Sequence, residues 1–170
     1  MFLVTLMEGG QETGSSAVAN LILALMQHPD QLPLLVDDPS LIDRAVEESL
    51  RYRSPSQFFF RKALGDQTVS GVMIPSGAVV VPVVGAANTD PQQFGETAND
   101  FDIRRDNSRV ITLDAGPHFC LGSALARLEL RDALDRALPA LQRFELADEP
   151  LTLSQSCLAF GYQRVPLRAR

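Results

Sequence analysis

Cys120 stands where a sulfur could do chemistry. The stretch Arg109–Arg131 runs from a β-branched trio through a Gly116-Pro117 turn to Cys120, then into a leucine-rich helical pattern. A thiol just ahead of a helix meets the unpaired first N–H groups and the positive end of the helix dipole. Both favour thiolate over thiol. Gly116 allows a tight turn, and Gly122 removes a side chain where a flat group could press against the backbone. Three chemistries compete for such a sulfur. A nucleophile needs a histidine base and an orienting group; His118 is two residues away and His28 far back in the chain. Zinc needs a partner cysteine at two-to-four spacing, which the sequence lacks. A single axial thiolate needs one sulfur, glycines for close approach, and cations for a carboxylated cofactor; Arg61, Arg105 and His118 are available. A buried structural cysteine is the plain alternative, but the Gly-x-His-x-Cys-x-Gly frame supplies more than packing requires.

Two further clusters carry chemistry-bearing residues. Glu8-Gly9-Gly10-Gln11-Glu12-Thr13-Gly14 interrupts an apolar segment. The Gly9-x4-Gly14 spacing matches a phosphate loop, but Ser15 and Ser16 follow where the lysine is needed. The other reading is one long helix with a weak spot. Each glycine costs about 1 kcal/mol in a helix interior, so close approach of a ligand or a local opening at Thr13 is expected. Glu48 and Arg51 form the second cluster, three residues apart and able to pair along a helix.

The elements that position these residues follow from pattern and punctuation. The first helix runs to His28, before Pro29. A short helical piece spans 30–35. Asp38 caps and Pro39 opens a helix that reaches Tyr52, with Leu41, Ile42, Ala45, Val46 and Ser49 inward. Residues 57–63 read as a strand, and a meander continues through 68–69, 72–74 and 78–84. Residues 85–108 form a long turn-rich connection. After Cys120, Leu121, Leu125 and Leu128, then Leu130, Leu134 and Leu138, give a helix that Pro139 stops or kinks. The tail from Phe144 ends in a hairpin turning at Gly161.

The 170 residues suffice for one domain with a real core, and 45% apolar with 21% charged marks a soluble globular class. A net charge of −6 argues against a nucleic-acid surface. Two cysteines make no disulfide framework, so a reduced, cytoplasmic setting is expected. No segment reads as a signal peptide or membrane span.

These motifs together resemble the C-terminal half of a cytochrome P-450, a haem-thiolate monooxygenase of the bacterial soluble type. Gly116-Pro-His-Phe-Cys-Leu-Gly122 is similar to the haem-binding loop, with Cys120 at the proximal iron ligand. Glu48-Ser-Leu-Arg51 is similar to the Glu-x-x-Arg helix. Phe101-Asp-Ile-Arg-Arg105 matches the segment whose arginine completes a structural triad with Glu48 and Arg51. Gly9-Gly-Gln-Glu-Thr13 resembles the oxygen-activation motif of the long central helix. Ala87-Asn-Thr-Asp-Pro91 and Phe160–Pro166 also follow the family order.

The resemblance implies a mainly α fold with small antiparallel sheets (α+β), entered from the middle of the central helix. Its segments would be 1–28, the central-helix remainder; 38–52, the Glu-x-x-Arg helix; 57–84, the β-meander; 109–138, the thiolate loop and proximal helix; and 144–170, the terminal hairpin. It implies haem b held through Cys120, with Gly9, Gly10, Arg61, His118, Phe119 and Gly122 around it, Arg61 and His118 at the propionates. Glu12 and Thr13 would be catalytic, handling water and protons. Gln57, Phe58, Phe59, Cys157 and Leu158 would line the pocket of a small apolar substrate, and a ferredoxin or other donor would supply electrons. Leu113 and Asp114 depart from the family's Phe-Gly at the start of the loop. The central helix, begun partway, is expected to leave an apolar distal face uncovered and open to association. The alternative expectation is a truncated, inactive remnant with weak or no haem binding.

Overall fold

The computed structural model describes residues 2–156 and 159–170; Cys157 and Leu158 lie outside the described residues. Helix α1 (Phe2–Gln27) is continuous over 26 residues. Its glycines do not break it, although residues 3–11 around Gly9 and Gly10 are exposed and the buried face, with Ala17, Leu21, Ala24 and Leu25, begins only beyond them. The opening expected at Thr13 is not formed. Thr13 Oγ1 donates to the Gly9 carbonyl at 2.5 Å, a bond to the preceding turn that leaves the helix ladder closed.

Helix α2 (Gln31–Asp37) leads to a 3₁₀ turn, Pro39–Leu41, and then helix α3 (Ile42–Tyr52). Asp38 caps the turn by accepting from the Ser40 amide at 3.0 Å and its hydroxyl at 2.6 Å. Ile42, Ala45, Val46 and Ser49 are buried as their spacing predicts, whereas Leu41 is only half-buried. Glu48, Leu50 and Arg51 are buried as well. The helix is enclosed on more than one side, by α1 and the proximal helix and by the loop through Asn88, Ala98 and Asp100.

The strands are shorter than the sequence suggests and pair in a nested order rather than as a meander. β1 (Arg61–Lys62) pairs with β4 (Val79–Val80), and β2 (Gln67–Val69) with β3 (Val72–Ile74), both antiparallel. The Ser70-Gly71 turn has positive φ at both residues, the hand that closes a two-residue hairpin. β2 and β3 therefore satisfy each other, and β1 finds its partner beyond them. Residues 57–60 are not a strand, although Phe59 donates to the Pro82 carbonyl at 3.1 Å. Pro82 has no N–H to return. Residue 84 already starts α4 (Val84–Ala87), followed by α5 (Pro91–Phe94), which Asp90 caps. The long connection is thus built of short capped helices and turns.

Helix α6 (Ser123–Leu141) runs through Pro139 rather than stopping there. Leu138 and Leu141 flank the proline and are buried, so the last turn is held by the core. Leu130, Leu134, Leu138 and Leu141 form the inward face. Leu121, Leu125 and Leu128 are 84%, 58% and 62% exposed and form a separate open face. The tail forms β5 (Phe144–Leu146) and β6 (Leu167–Ala169), which pair antiparallel, with a bridge between Leu153 and Tyr162 below the Gly161 turn. Residues 151–152 add no strand. Helices α1, α3 and α6 meet around Leu21, Leu25, Val46, Leu50, Leu130 and Leu134. No helix among the described residues is long and apolar enough to cross a membrane.

Candidate functional site

The segment ahead of α6 is a folded loop, not an extended arm. Asp114 donates its amide to the Ile111 carbonyl at 2.9 Å, Phe119 to Gly116 at 3.1 Å, and Cys120 to Leu113 at 2.9 Å. The last bond closes the loop on itself and sets Cys120 three residues before Ser123, the first residue of α6. Gly116 has φ +60°, a conformation that favours glycine. Asp114 adopts φ +62° without being glycine. A Cβ on Gly122 would lie 3.9 Å from Cys120 Sγ, in ordinary van der Waals contact with it. His118, Phe119 and Leu121 are exposed around a half-buried Cys120.

Beneath the loop lies a polar core. Glu48 and Arg51 are fully buried. Arg51 Nε and Nη2 donate to the two Glu48 carboxylate oxygens, each at 2.8 Å. Its remaining N–H groups donate to the carbonyls of Asn88, Ala98 and Asp100 at 2.9, 2.6 and 2.7 Å. All five guanidinium donors are satisfied. Glu48 Oε1 also accepts from the Asp102 amide at 2.9 Å and from Arg105 Nε at 3.4 Å. Arg105 spends its other donors on Phe94, Thr97 and Asp100. It braces the connection and is not free to meet a cofactor.

Asn88, Ser54 and Thr112 were not singled out by sequence pattern, yet they join this core to the loop. Asn88 Nδ2 donates to Ser54 Oγ at 2.9 Å and Thr112 Oγ1 at 2.7 Å, and its Oδ1 accepts from the Ile111 amide at 3.0 Å. Ser54 Oγ and Thr112 Oγ1 both reach the Leu50 carbonyl, at 2.9 and 2.6 Å. All three side chains are buried. Their sequence signals were slight: Asn88 lies within a turn-rich segment and in the Ala87–Pro91 stretch that follows the family order. Arg127 was also missed. Its Nε donates to Glu47 at 2.5 Å. That hydrogen bond raises its pKa; burial opposes the rise, and the charges of Glu47 and Cys120 support it.

The other expected site residues are spread over α1 and the β1 region. Gly9 and Gly10 are exposed, with nothing within 4 Å of an added Cβ. Glu12 and Thr13 are half-buried, and Gly14 faces Glu129 of α6. Phe58 and Phe60 form an edge-on pair, ring centroids 5.5 Å apart. Arg61 lies over the Phe59 ring at 5.3 Å and forms an ion pair with Asp114. Gln57 turns toward the Ser54 carbonyl, donating at 2.6 Å, and borders a cleft with Tyr52, Arg53, Gly85 and Phe160. Cys157 and Leu158 lie outside the described residues.

The donor set fits an iron porphyrin. A single sulfur sits on a glycine ledge bordered by exposed apolar side chains, and the guanidinium of Arg61 stands at the edge of the same loop. No group of three His, Cys, Asp or Glu among the described residues could hold a metal by itself. One soft protein ligand with an apolar surround is the arrangement in which haem supplies the rest of the coordination.

Residues 36–160 match the family model described as Cytochrome P450. The chain is 44% identical over 166 residues to vitamin D(3) 25-hydroxylase of Pseudonocardia autotrophica, covering 95% of this chain and 41% of that protein. Among solved structures it is similar to P450BioI in complex with an acyl carrier protein carrying hexadec-9Z-enoic acid. There the TM-score is 0.89 at 38% identity, covering 95% of this chain and 42% of the other. It is likewise similar to CYP109E1 from Bacillus megaterium in complex with testosterone. That TM-score is 0.93 at 30% identity, covering 99% and 47%. The chain spans about two fifths of the length of the curated relatives it matches.

Proposed function

Because the chain belongs to the cytochrome P450 family, we propose that the Cys120 loop would hold haem b, with the Cys120 thiolate as the protein's ligand to its iron, in a haem-thiolate monooxygenase. The reaction would put one oxygen atom of dioxygen into a small apolar organic substrate. When bound, the haem supplies the oxygen-activating chemistry, which a thiolate ligand promotes by pushing electron density toward the iron.

The observation that carries this reading is the closed loop ahead of α6, which holds the half-buried Cys120 sulfur beside Gly122. Phe119 and Gly122 would border the porphyrin on the sulfur side, and Gly9 and Gly10 would let it approach α1. Arg61 and His118 would hold its carboxylates. Glu12 and Thr13 would hold water and move protons at the Glu12 carboxyl and Thr13 Oγ1, with Thr13 reoriented from its bond to Gly9. Phe58 and Phe59, with Cys157 and Leu158, would line an apolar substrate pocket, with the Gln57 amide at its edge. Glu48, Arg51 and Arg105 act as positioning residues beneath the loop. An electron-donor protein such as a ferredoxin is the implied partner. A docking place on the Cys120 side would be the cleft bordered by Arg44, Arg104 and Phe119, whose charge is mixed because Asp43, Asp106 and the Glu47–Arg127 pair also lie in it. A cytoplasmic setting fits such a donor.

A second reading is an inactive remnant of weak haem affinity that binds partners through bare apolar surface. The exposure of Leu3, Leu6 and Met7 on α1, and of Leu121, Leu125 and Leu128 at and just before the start of α6, favours that reading for the chain alone. The carbon monoxide difference spectrum of the reduced, haem-supplied protein separates the two. The monooxygenase reading expects a thiolate-type Soret band that Cys120→Ala removes. A spectrum indifferent to Cys120→Ala would refute it.

A further inference from the structure

The cation proposed to hold a haem carboxylate is already taken inside this chain. Arg61 Nη2 donates to Asp114 Oδ2, and Nη1 donates to the Phe60 carbonyl at 3.0 Å. The pair spans 53 residues of sequence and ties β1 to the thiol loop. It is not a loose surface contact, since the Arg61 side chain is 31% exposed and that of Asp114 23%. Asp114 is also braced from its own loop. Its Oδ1 accepts from the Ala115 amide at 2.9 Å, and its own amide is held by the Ile111 carbonyl. The residue adopts a left-handed φ of +62°, a conformation open to Asp and Asn more than to other non-glycine residues. A carboxylate so placed does what an external carboxylate would do: it fills the Arg61 fork.

We propose that Asp114 is a built-in competitor for the haem carboxylate, so that exchange of Arg61 away from Asp114 limits haem retention. The proposal rests on the haem-thiolate reading of Cys120. Arg61 must either release Asp114 or share its fork between two carboxylates. Like charges so close disfavour each other. Neutralising Asp114 therefore frees the guanidinium and removes the repulsion together. Asn suits the position because it tolerates a left-handed backbone.

The test uses the 170-residue chain as wild type, D114N, D114G, R61Q and D114N/R61Q, with circular dichroism as the check on folding. Each is titrated with haemin and with haemin dimethyl ester, whose carboxylates are masked, and binding is read from the Soret absorbance. D114N should bind haemin about tenfold more tightly than wild type, the scale of one charge-assisted hydrogen bond. The dimethyl ester should show no such gain, and the gain should vanish in the R61Q background. D114G takes the place of D114N if the latter does not fold. Equal haemin affinity of wild type and D114N overturns the proposal, as does an equal gain for the ester. The Cys120→Ala spectrum keeps the two readings apart. Uptake that depends on Cys120 but not on Asp114 removes this proposal alone, whereas no uptake by any variant removes both.

Discussion

Glu48 and Arg51 face each other across one turn of α3 through two parallel hydrogen bonds of 2.8 Å, with neither side chain reaching solvent. Such a pair is affordable only because every guanidinium donor has an acceptor and the carboxylate gains the Asp102 amide. Glu48→Ala or Arg51→Ala leaves the partner charge buried and unpaired. Each should destabilise the fold by about 3–5 kcal/mol in urea unfolding. A loss below about 1 kcal/mol, the range of exposed pairs, would show that the charge is solvated after all.

Asn88 joins this pair to the thiol loop. Asn88→Ala removes the acceptor of the Ile111 amide and the donor to Ser54 and Thr112. The expected cost is about 1–3 kcal/mol. Amide hydrogen exchange at Ile111 should accelerate more than at the α1 core around Leu25. Uniform acceleration at both would mean that Asn88 supports global stability without anchoring the loop.

Gly161 lies against the backbone of α1. A Cβ there would sit 3.2 Å from Ser16 Cα and 2.8 Å from Ser16 Cβ, positions a helix interior cannot yield. Gly161→Ala should destabilise by about 1–3 kcal/mol through overpacking. The companion change Ser16→Gly should recover part of the loss, and no recovery would place the strain elsewhere.

Asp38 gives the fold an acid-sensitive cap. Hydrogen bonds from the Ser40 hydroxyl and then the Ser40 amide hold its carboxyl below the usual 3.8. A depressed folded value contributes stability above the unfolded pKa, and that contribution is lost as pH falls through the folded one. The stability gap between wild type and Asp38→Ala should be full at about pH 6 and shrink below pH 3.8. A gap constant down to about pH 3 would rule out the ionised cap.

Much of the frame was legible because local chemistry decided it. The Asp38-Pro39 start, the inward spacing of Ile42, Ala45, Val46 and Ser49, and the glycines around Cys120 state their roles within a few residues. Strand pairing was not legible. Residues 57–84 show β-forming runs, but which run meets which depends on the Ser70-Gly71 turn pairing β2 with β3, which leaves β1 to pair with β4. For a related reason Pro139 does not stop the helix. A proline costs a helix one local bond, whereas burial of Leu138 and Leu141 is a tertiary gain that no window of sequence contains.

The sequence by itself determined the family, the order of its motifs and the sulfur at Cys120, because spacing along one chain is enough to specify them. Only the tertiary structure decided the partners across the chain. Burial makes Glu48 and Arg51 a closed pair, Asn88 becomes a bracket between helix and loop, and Arg61 is given to Asp114, 53 residues away. Charge and hydrogen-bond energies depend on distance and on exclusion of water, and neither is written in residue order.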